Sequence, residues 1–471
     1  MKHLFYLLTV LALLCCTSCN DDGPCEEIVT EENDVRITDV SGVTLNYTND
    51  LVIGSKENEI IFEKWSDILL QPGGHKRVKT LDCCGLAAVA LNGMEVDTTK
   101  SVERVTLINK GTITVHTKDL VERYKDLIAT PENPDRPYFY LRVLVMYAGS
   151  NCSVINKGVI NVYFDHDPSN TSTIYTIALT AHDGSTIINE GEINFFGNGS
   201  ENTRFRGVAT EGNYLTAINK GVMTSNVEMV DDQRMITTGG KYNNIINDGI
   251  MKLYGPGEIC GLSSGSNNVV NNNLIDITHV DITDKYASVV QEPGVVCGIY
   301  CAPSESPAPS IVNRGTINMK AITTSKTSPV SVVNGFYVKG GRGFEVSAIN
   351  EGVITTAQTG PTKIKMAEAF FYSNDKPLNV KMSRWKTTLR DFIQHPLFIG
   401  ENVNFNFTDG QLVLRKETDY IEGTSYSVAP ESLLLGSTYS GYENMTIRSN
   451  DKNIILSWDK ENQKASLMTK Q

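Results

Sequence analysis

The residues with the clearest chemical capacity are three acidic clusters, Asp165-His166-Asp167, Asp231-Asp232, and Asp276 with His279, Asp281 and Asp284. Two carboxylates flanking an imidazole can bind a cation or relay a proton. Each cluster follows an apolar repeat segment, where a solvated turn is the simpler reading, and catalysis would need partners from neighbouring segments. After the leader the cysteines are Cys25, Cys83, Cys84, Cys152, Cys260, Cys297 and Cys301. An odd number leaves at least one thiol free in an oxidising compartment, and no CxxC pairing with histidines points to zinc. P-loop and HExxH motifs are absent, so no metal and no cofactor is assigned. Trp65, Trp385 and Trp458 are scattered, and Tyr138 and Tyr140 beside a proline-rich loop read as strand packing. No catalytic residue is assigned on these grounds.

What would position such groups is a repeat. The segments are TLINKGTI at 106–113, SVINKGVI at 153–160, TIINEGEI at 186–193, TAINKGVM at 216–223, NIINDGIM at 244–251, NVVNNNLI at 268–275, SIVNRGTI at 310–317 and SAINEGVI at 347–354. Their asparagines are Asn109, Asn156, Asn189, Asn219, Asn247, Asn271, Asn313 and Asn350, with separations of 47, 33, 30, 28, 24, 42 and 37. A fixed core with variable spacing suits a coil of parallel strands whose edge loops are free in length. Helical spacing of three and four is missing.

Within each repeat, the apolar residue before Asn and the one four after it are expected to face the interior. Gly111, Gly158, Gly191, Gly221, Gly249, Gly315 and Gly352 are expected to turn a corner at positive φ, where a side chain is penalised. Asn273 replaces glycine in one copy, in keeping with its tolerance of the left-handed region. The repeated Asn either stacks in an amide ladder or forms a turn with its own backbone; the ladder is favoured. Cys84-Gly85-Leu86, Cys260-Gly261-Leu262, Cys297-Gly298-Ile299 and Asn334-Gly335-Phe336 look like equivalents on another strand, which would put Cys260 beside Cys297 as small buried hydrophobes.

The ends differ. Met1-Lys2-His3, the apolar run Leu4 to Leu14 and Thr17-Ser18-Cys19 read as an export signal over 1–18, too short to span a bilayer. Small residues followed by Cys19 resemble the lipobox of bacterial lipoproteins, which implies lipidation of Cys19, although Cys16 stands where that family has Leu. Asn20-Asp21-Asp22 resembles the surface-export signal of Bacteroidetes lipoproteins. Residues 19–34 then form an acidic tether, 35–80 an N-terminal cap or first irregular coil, 81–410 the solenoid and 411–471 a C-terminal β cap with a hairpin over 453–468.

The repeats resemble right-handed parallel β-helix proteins, among them autotransporter passenger adhesins and polysaccharide-lyase solenoids. The resemblance implies an all-β, right-handed parallel β-helix with capped ends. It says little about activity, because that fold carries binders and enzymes alike. A net charge of −12 excludes a nucleic-acid partner and leaves the lipid as the membrane contact. The expected protein is an outer-membrane, surface-exposed lipoprotein that binds a glycan or a surface protein of a host or neighbouring cell. The alternatives are a polysaccharide lyase or glycoside hydrolase, for which the resemblance implies calcium as a cofactor, and a structural envelope component.

Overall fold

The computed structural model describes residues 106–118, 140–165, 173–281, 294–303, 309–324, 330–340, 345–388 and 397–415, with isolated breaks, and short strands on either side. Among the described residues the elements are β-strands, apart from a helical pair at 117–118, and the strands build a parallel β-helix. Each coil contributes three arms. The first arm runs through Tyr140–Ala148, Thr173–Thr180, Thr203–Thr210, the first half of Asp232–Asn247 and of Glu258–Asn271, then Gly294–Cys301, Val330–Gly340 and Lys365–Ser373. The second comprises the strands that end at the repeat asparagines, such as Ser153–Asn156 and Thr186–Asn189, and the third follows the corner, as in Val159–Phe164 and Glu192–Gly197. Equivalent residues pair in parallel register from coil to coil, with Asn156, Asn189 and Asn219 aligned and Ile160, Ile193 and Met223 aligned.

The amide ladder is present. Each Nδ2 donates to the Oδ1 of the next coil's asparagine, from Asn109 to Asn156 at 2.7 Å and onward to Asn350, with every step between 2.7 and 2.9 Å. All eight asparagines are fully buried. A local turn forms as well, at the ladder's open end, where the backbone N–H of Gly111 donates to Oδ1 of Asn109 at 3.0 Å. At the other end Trp385 lies in register with Asn350, whose Nδ2 donates to the Lys386 carbonyl.

Two expectations about the repeat are corrected. The residue four after Asn is interior, since Ile113, Ile160, Ile193, Met223, Met251, Ile275, Ile317 and Ile354 are all fully buried. On the second arm, however, the interior position lies two before Asn, at Val154, Ile187, Ala217, Ile245, Val269, Ile311 and Ala348. Asn itself points inward, so strand alternation turns its predecessor outward: Ile108, Ile155, Ile246, Val270 and Ile349 are half-buried, while Ile188, Ile218 and Val312 are buried outside the main core cluster.

The corner glycines are the second correction. Among the described glycines, positive φ occurs at Gly184, Gly197, Gly240, Gly255, Gly257 and Gly360, and not at the repeat glycines. The repeat glycines are demanded by close approach instead. A Cβ at Gly158, Gly191 or Gly221 would stand 2.0 Å from the carbonyl oxygen of the glycine one coil below. No side chain fits while the two corner backbones are that close. At Asn273, which is not at positive φ either, the side-chain amide instead donates to the Asp248 carbonyl at 2.9 Å.

The second repeated element holds for three of its four members. Cys260, Cys297 and Asn334 share one column, whereas Cys84 pairs with Leu141 and the Cys260 column passes instead through Arg234, Arg206, Ile177 and Leu144 to Ala87. Cys84-Gly85-Leu86 is therefore three positions out of register. The glycines make room across the narrow interior: a Cβ at Gly261, Gly298 or Gly335 would stand 2.8, 2.5 or 2.6 Å from Cγ2 of Ile275, Ile317 or Ile354. Ala367 takes the column's next place, and Glu368, level with Gly335, is held inside by the Trp385 indole and by Thr387 Oγ1.

Parallel pairing extends beyond 81–410. Arg36–Ile37, Thr44–Tyr47 and Leu51–Ile53 pair as three arms of an earlier coil, and Leu434–Leu435, Thr438–Ser440 and Thr446–Ser449 continue the stack at the other end. Ladder pairing is made by backbone groups, so it persists where the Asn-Gly punctuation has gone. The hairpin Ile454–Asp459 with Lys464–Thr469 is antiparallel.

Candidate binding groove

Outward positions of the first arm line two adjoining depressions that share Tyr300. One, of about 300 Å³, includes Arg142, Tyr175, His182, Thr210, Thr238, Ser264 and Ala302 in its wall. The other, of about 110 Å³, is bounded by Arg234, Glu258, Cys260, Val295, Cys297, Tyr337 and Lys339. Parallel register places side chains of the same column one above another, so the groove floor is a set of stacks. Tyr175 lies between the guanidinium groups of Arg142 and Arg206, whose Cζ atoms are 5.0 and 5.3 Å from its ring centre. Further along, Arg234 lies 5.3 Å over Tyr300, which stacks on Tyr337 at 5.7 Å, and Tyr337 stacks on Phe370 at 5.2 Å.

The acidic pair Asp231-Asp232 adjoins this groove through Arg234, which lies in its wall. Asp232 is gripped by Arg206 and by Nε of Arg234 at 3.0 Å, and Arg234 also reaches Glu258 at 3.1 Å and Ser263 Oγ at 3.1 Å. Asp231 accepts from Arg204 Nε at 2.7 Å. Burial would raise Asp232, but Arg206 and Arg234 outweigh it and hold the carboxyl below its usual range. Burial raises Glu258, with Asp232 adding to the effect and Arg234 opposing it. Asp231 is likewise raised by burial, which Arg204 only partly offsets. Burial would weaken the charge of Arg234, yet Asp232 fixes it as a cation. The Tyr300 hydroxyl is pushed up to about 12, chiefly by burial, and so donates hydrogen bonds at neutral pH.

The other clusters are described only in part. Asp165 accepts from the Lys118 N–H at 2.8 Å and pairs with His116 Nδ1 at 2.8 Å, while His166 and Asp167 lie outside the described residues. Asp276 points outward, whereas His279, three residues on, is buried in the interior, which lowers its pKa to about 4. Asp284, Tyr138 and Cys19 are outside the described residues. Among the described residues no group of three or more His, Cys, Asp or Glu side chains is placed to hold a metal ion. With Asp231, Asp232 and Glu258 turned to arginines, the donor set does not fit calcium. Cys260 and Cys297 sit side by side in the groove wall as free thiols, Sγ to Sγ 3.6 Å.

The groove's arginines and tyrosines escape sequence reading because they come from different coils, 28 to 66 residues apart, and are embedded in no shared motif. The one visible hint is that Tyr300 and Tyr337 each lie three residues after the repeated Cys297 or Asn334.

Fold and groove together define a parallel β-helix with a ligand-sized trough along one outer face. A family model, the BigA third pectate lyase-like domain, matches residues 77–221, so the chain is similar to that domain over this stretch. The matched stretch carries Arg142, Tyr175, Arg204 and Arg206 and ends before Asp231, Arg234 and Glu258. No curated protein and no solved structure matches the chain.

Proposed function

We propose that this chain is a binding module of the cell surface, anchored to the outer membrane through a lipid on Cys19, and that the first-arm groove holds a glycan. The observation that carries the reading is the groove's alternation of guanidinium and aromatic groups, Arg142–Tyr175–Arg206 and Arg234–Tyr300–Tyr337–Phe370. The faces of Tyr175, Tyr300 and Tyr337 are taken by their stacking partners, so the rigid stack offers ring edges, phenol hydroxyls and fixed guanidinium donors to a sugar's hydroxyls, the usual mixture in a ligand site. Cys19 and the acidic residues after it support the surface placement.

A second reading rests on one further observation. Glu258 and Asp232 flank Arg234 with their protonation pushed in opposite directions, as acid and base partners in hydrolases are. On that reading Glu258 donates a proton to the leaving sugar and Asp232 stays ionised.

The deciding experiment combines a glycan array with depolymerisation assays on the protein starting after Cys19, alongside Tyr300→Ala. The binding reading expects array binding that Tyr300→Ala weakens by about tenfold and no release of oligosaccharide. Chain cleavage abolished by Glu258→Gln would replace it with the second reading. Metabolic labelling with a radioactive fatty acid, lost in Cys19→Ala, tests the anchor.

A further inference from the structure

Beside the groove wall, where the first arm turns into the second, one corner repeats from coil to coil. Backbone bonds from Asn151 N to Asp183 O, Gly184 N to Asn213 O and Tyr214 N to Lys241 O align Asn151, Gly184, Tyr214 and Tyr242 as equivalents. All four adopt positive φ, at 56°, 71°, 58° and 61°. That conformation is ordinary for glycine and tolerated by asparagine, but a bulky residue there carries strain. Two successive tyrosines in it form a local conflict between residue and backbone, of the kind that persists where a site uses it.

The two rings are the exposed part of the corner. Tyr214 is 66% and Tyr242 51% exposed, and the rings stack with centroids 5.0 Å apart and planes within 6°. Both outer faces of the pair are left without a third ring. Below Tyr214 stands Gly184, with the Asn151 Oδ1 lying 2.3 Å from where its Cβ would be. Above Tyr242 the next coil is one residue shorter: Lys241 pairs with Ser266 and Asn244 with Asn268, so Asn267 alone answers Tyr242 and Asn243.

The backbone beneath the rings is fixed by side-chain amides and a carboxylate. Asp183 Oδ1 accepts from Asn213 N at 2.5 Å, Asn213 Oδ1 from Lys241 N at 2.8 Å, Asn243 Oδ1 from Leu215 N at 2.8 Å and Asn267 Oδ1 from Asn243 N at 2.9 Å. Rigid aromatic faces presented by a pre-ordered loop lose little entropy on capturing a ligand. The patch is also small. Among the described residues the exposed large apolar side chains are these two and Tyr254. A protein interface needs about 800 Å² per partner around an apolar centre, far more than two rings set among amides. A single sugar ring needs only one aromatic face and neighbouring hydrogen-bonding groups.

We propose that the Tyr214–Tyr242 pair is a second glycan site, whose outward ring faces each take the C–H face of a neutral pyranose. Neither tyrosine lines the groove, and the proposal stands whether or not the groove binds. The test is affinity electrophoresis of the folded protein in native gels containing galactomannan, xyloglucan or β-1,3-glucan. The variants are Tyr214→Asn/Tyr242→Asn, which keeps a residue suited to this φ, and Tyr300→Ala as the groove control. The expected result is retardation in at least one gel, weakened about tenfold or more in the double variant and retained in Tyr300→Ala. Because asparagine relieves the strain, the double variant is expected to melt no lower than the parent, which separates lost binding from lost folding. Retardation that survives in the double variant overturns the proposal, as does retardation that only Tyr300→Ala removes. Absence of retardation in all three gels also overturns it and points to a protein partner for the rings.

Discussion

At the scale of single residues, the corner glycine and the interior histidine make opposite demands. Gly221 has no room for a Cβ because the Gly191 carbonyl would be 2.0 Å away, so Gly221→Ala must push neighbouring coil backbones apart. The expected cost is about 2 kcal/mol or more, read as a lower urea midpoint. Asparagine at 221 should do no better than alanine, because space and not φ is limiting. His279 is buried uncharged, with its pKa lowered to about 4 by burial. Its folded value lies below its unfolded value, so the unfolded chain takes up the proton first as pH falls. Stability is therefore full above about pH 6.5 and declines towards pH 4, by a total on the order of 3 kcal/mol. Urea melts across that range should show the slope, and His279→Leu should flatten it.

At the scale of elements, the second-arm strands are tied by a hydrogen-bonded line that crosses all of them. Asn219 accepts from Asn189 at 2.9 Å and donates to Asn247 at 2.9 Å, with a further bond to the Ile250 carbonyl at 3.4 Å. Asn219→Ala would strand a donor on one side and an acceptor on the other, both buried. Each orphan costs about 1–3 kcal/mol, so the variant should lose more stability than the single deleted contact suggests. Asn350→Ala, at the ladder's end, leaves only Asn313 without its partner asparagine and should cost less; denaturant titration of the two variants side by side checks the order. The first-arm strands carry a different stack, of arginines and tyrosines facing outward. The parallel register that builds the ladder also lines up the groove, so ligand contacts made on successive strands share one fixed spacing.

At the scale of the molecule, each coil touches mainly its neighbours, and stability is close to a sum over coils and their interfaces. Residues 314–350 make one turn of the stack, 37 residues from Asn313 to Asn350. Deleting them joins Asn313 to Glu351-Gly352-Val353 and restores the repeat motif. The shortened chain is expected to keep its strand-rich circular dichroism and a cooperative melt at a somewhat lower temperature. Loss of both would mean that the coils are not interchangeable. The eight Asn-centred segments were enough to specify a parallel solenoid, its coil junctions and the amide ladder, because those depend on short-range pattern and strand period. They could not specify why the glycines recur, because the 2.0 Å approach exists only once two coils are stacked. Nor could they show the groove or the tyrosine pair. Arg142, Tyr175, Arg206, Arg234 and Tyr300 come together through register between residues dozens of positions apart, and Tyr214 meets Tyr242 only because their corners superpose. A repeat determines that coils stack; which side chains then face one another depends on the length of every intervening loop, and that is decided in three dimensions.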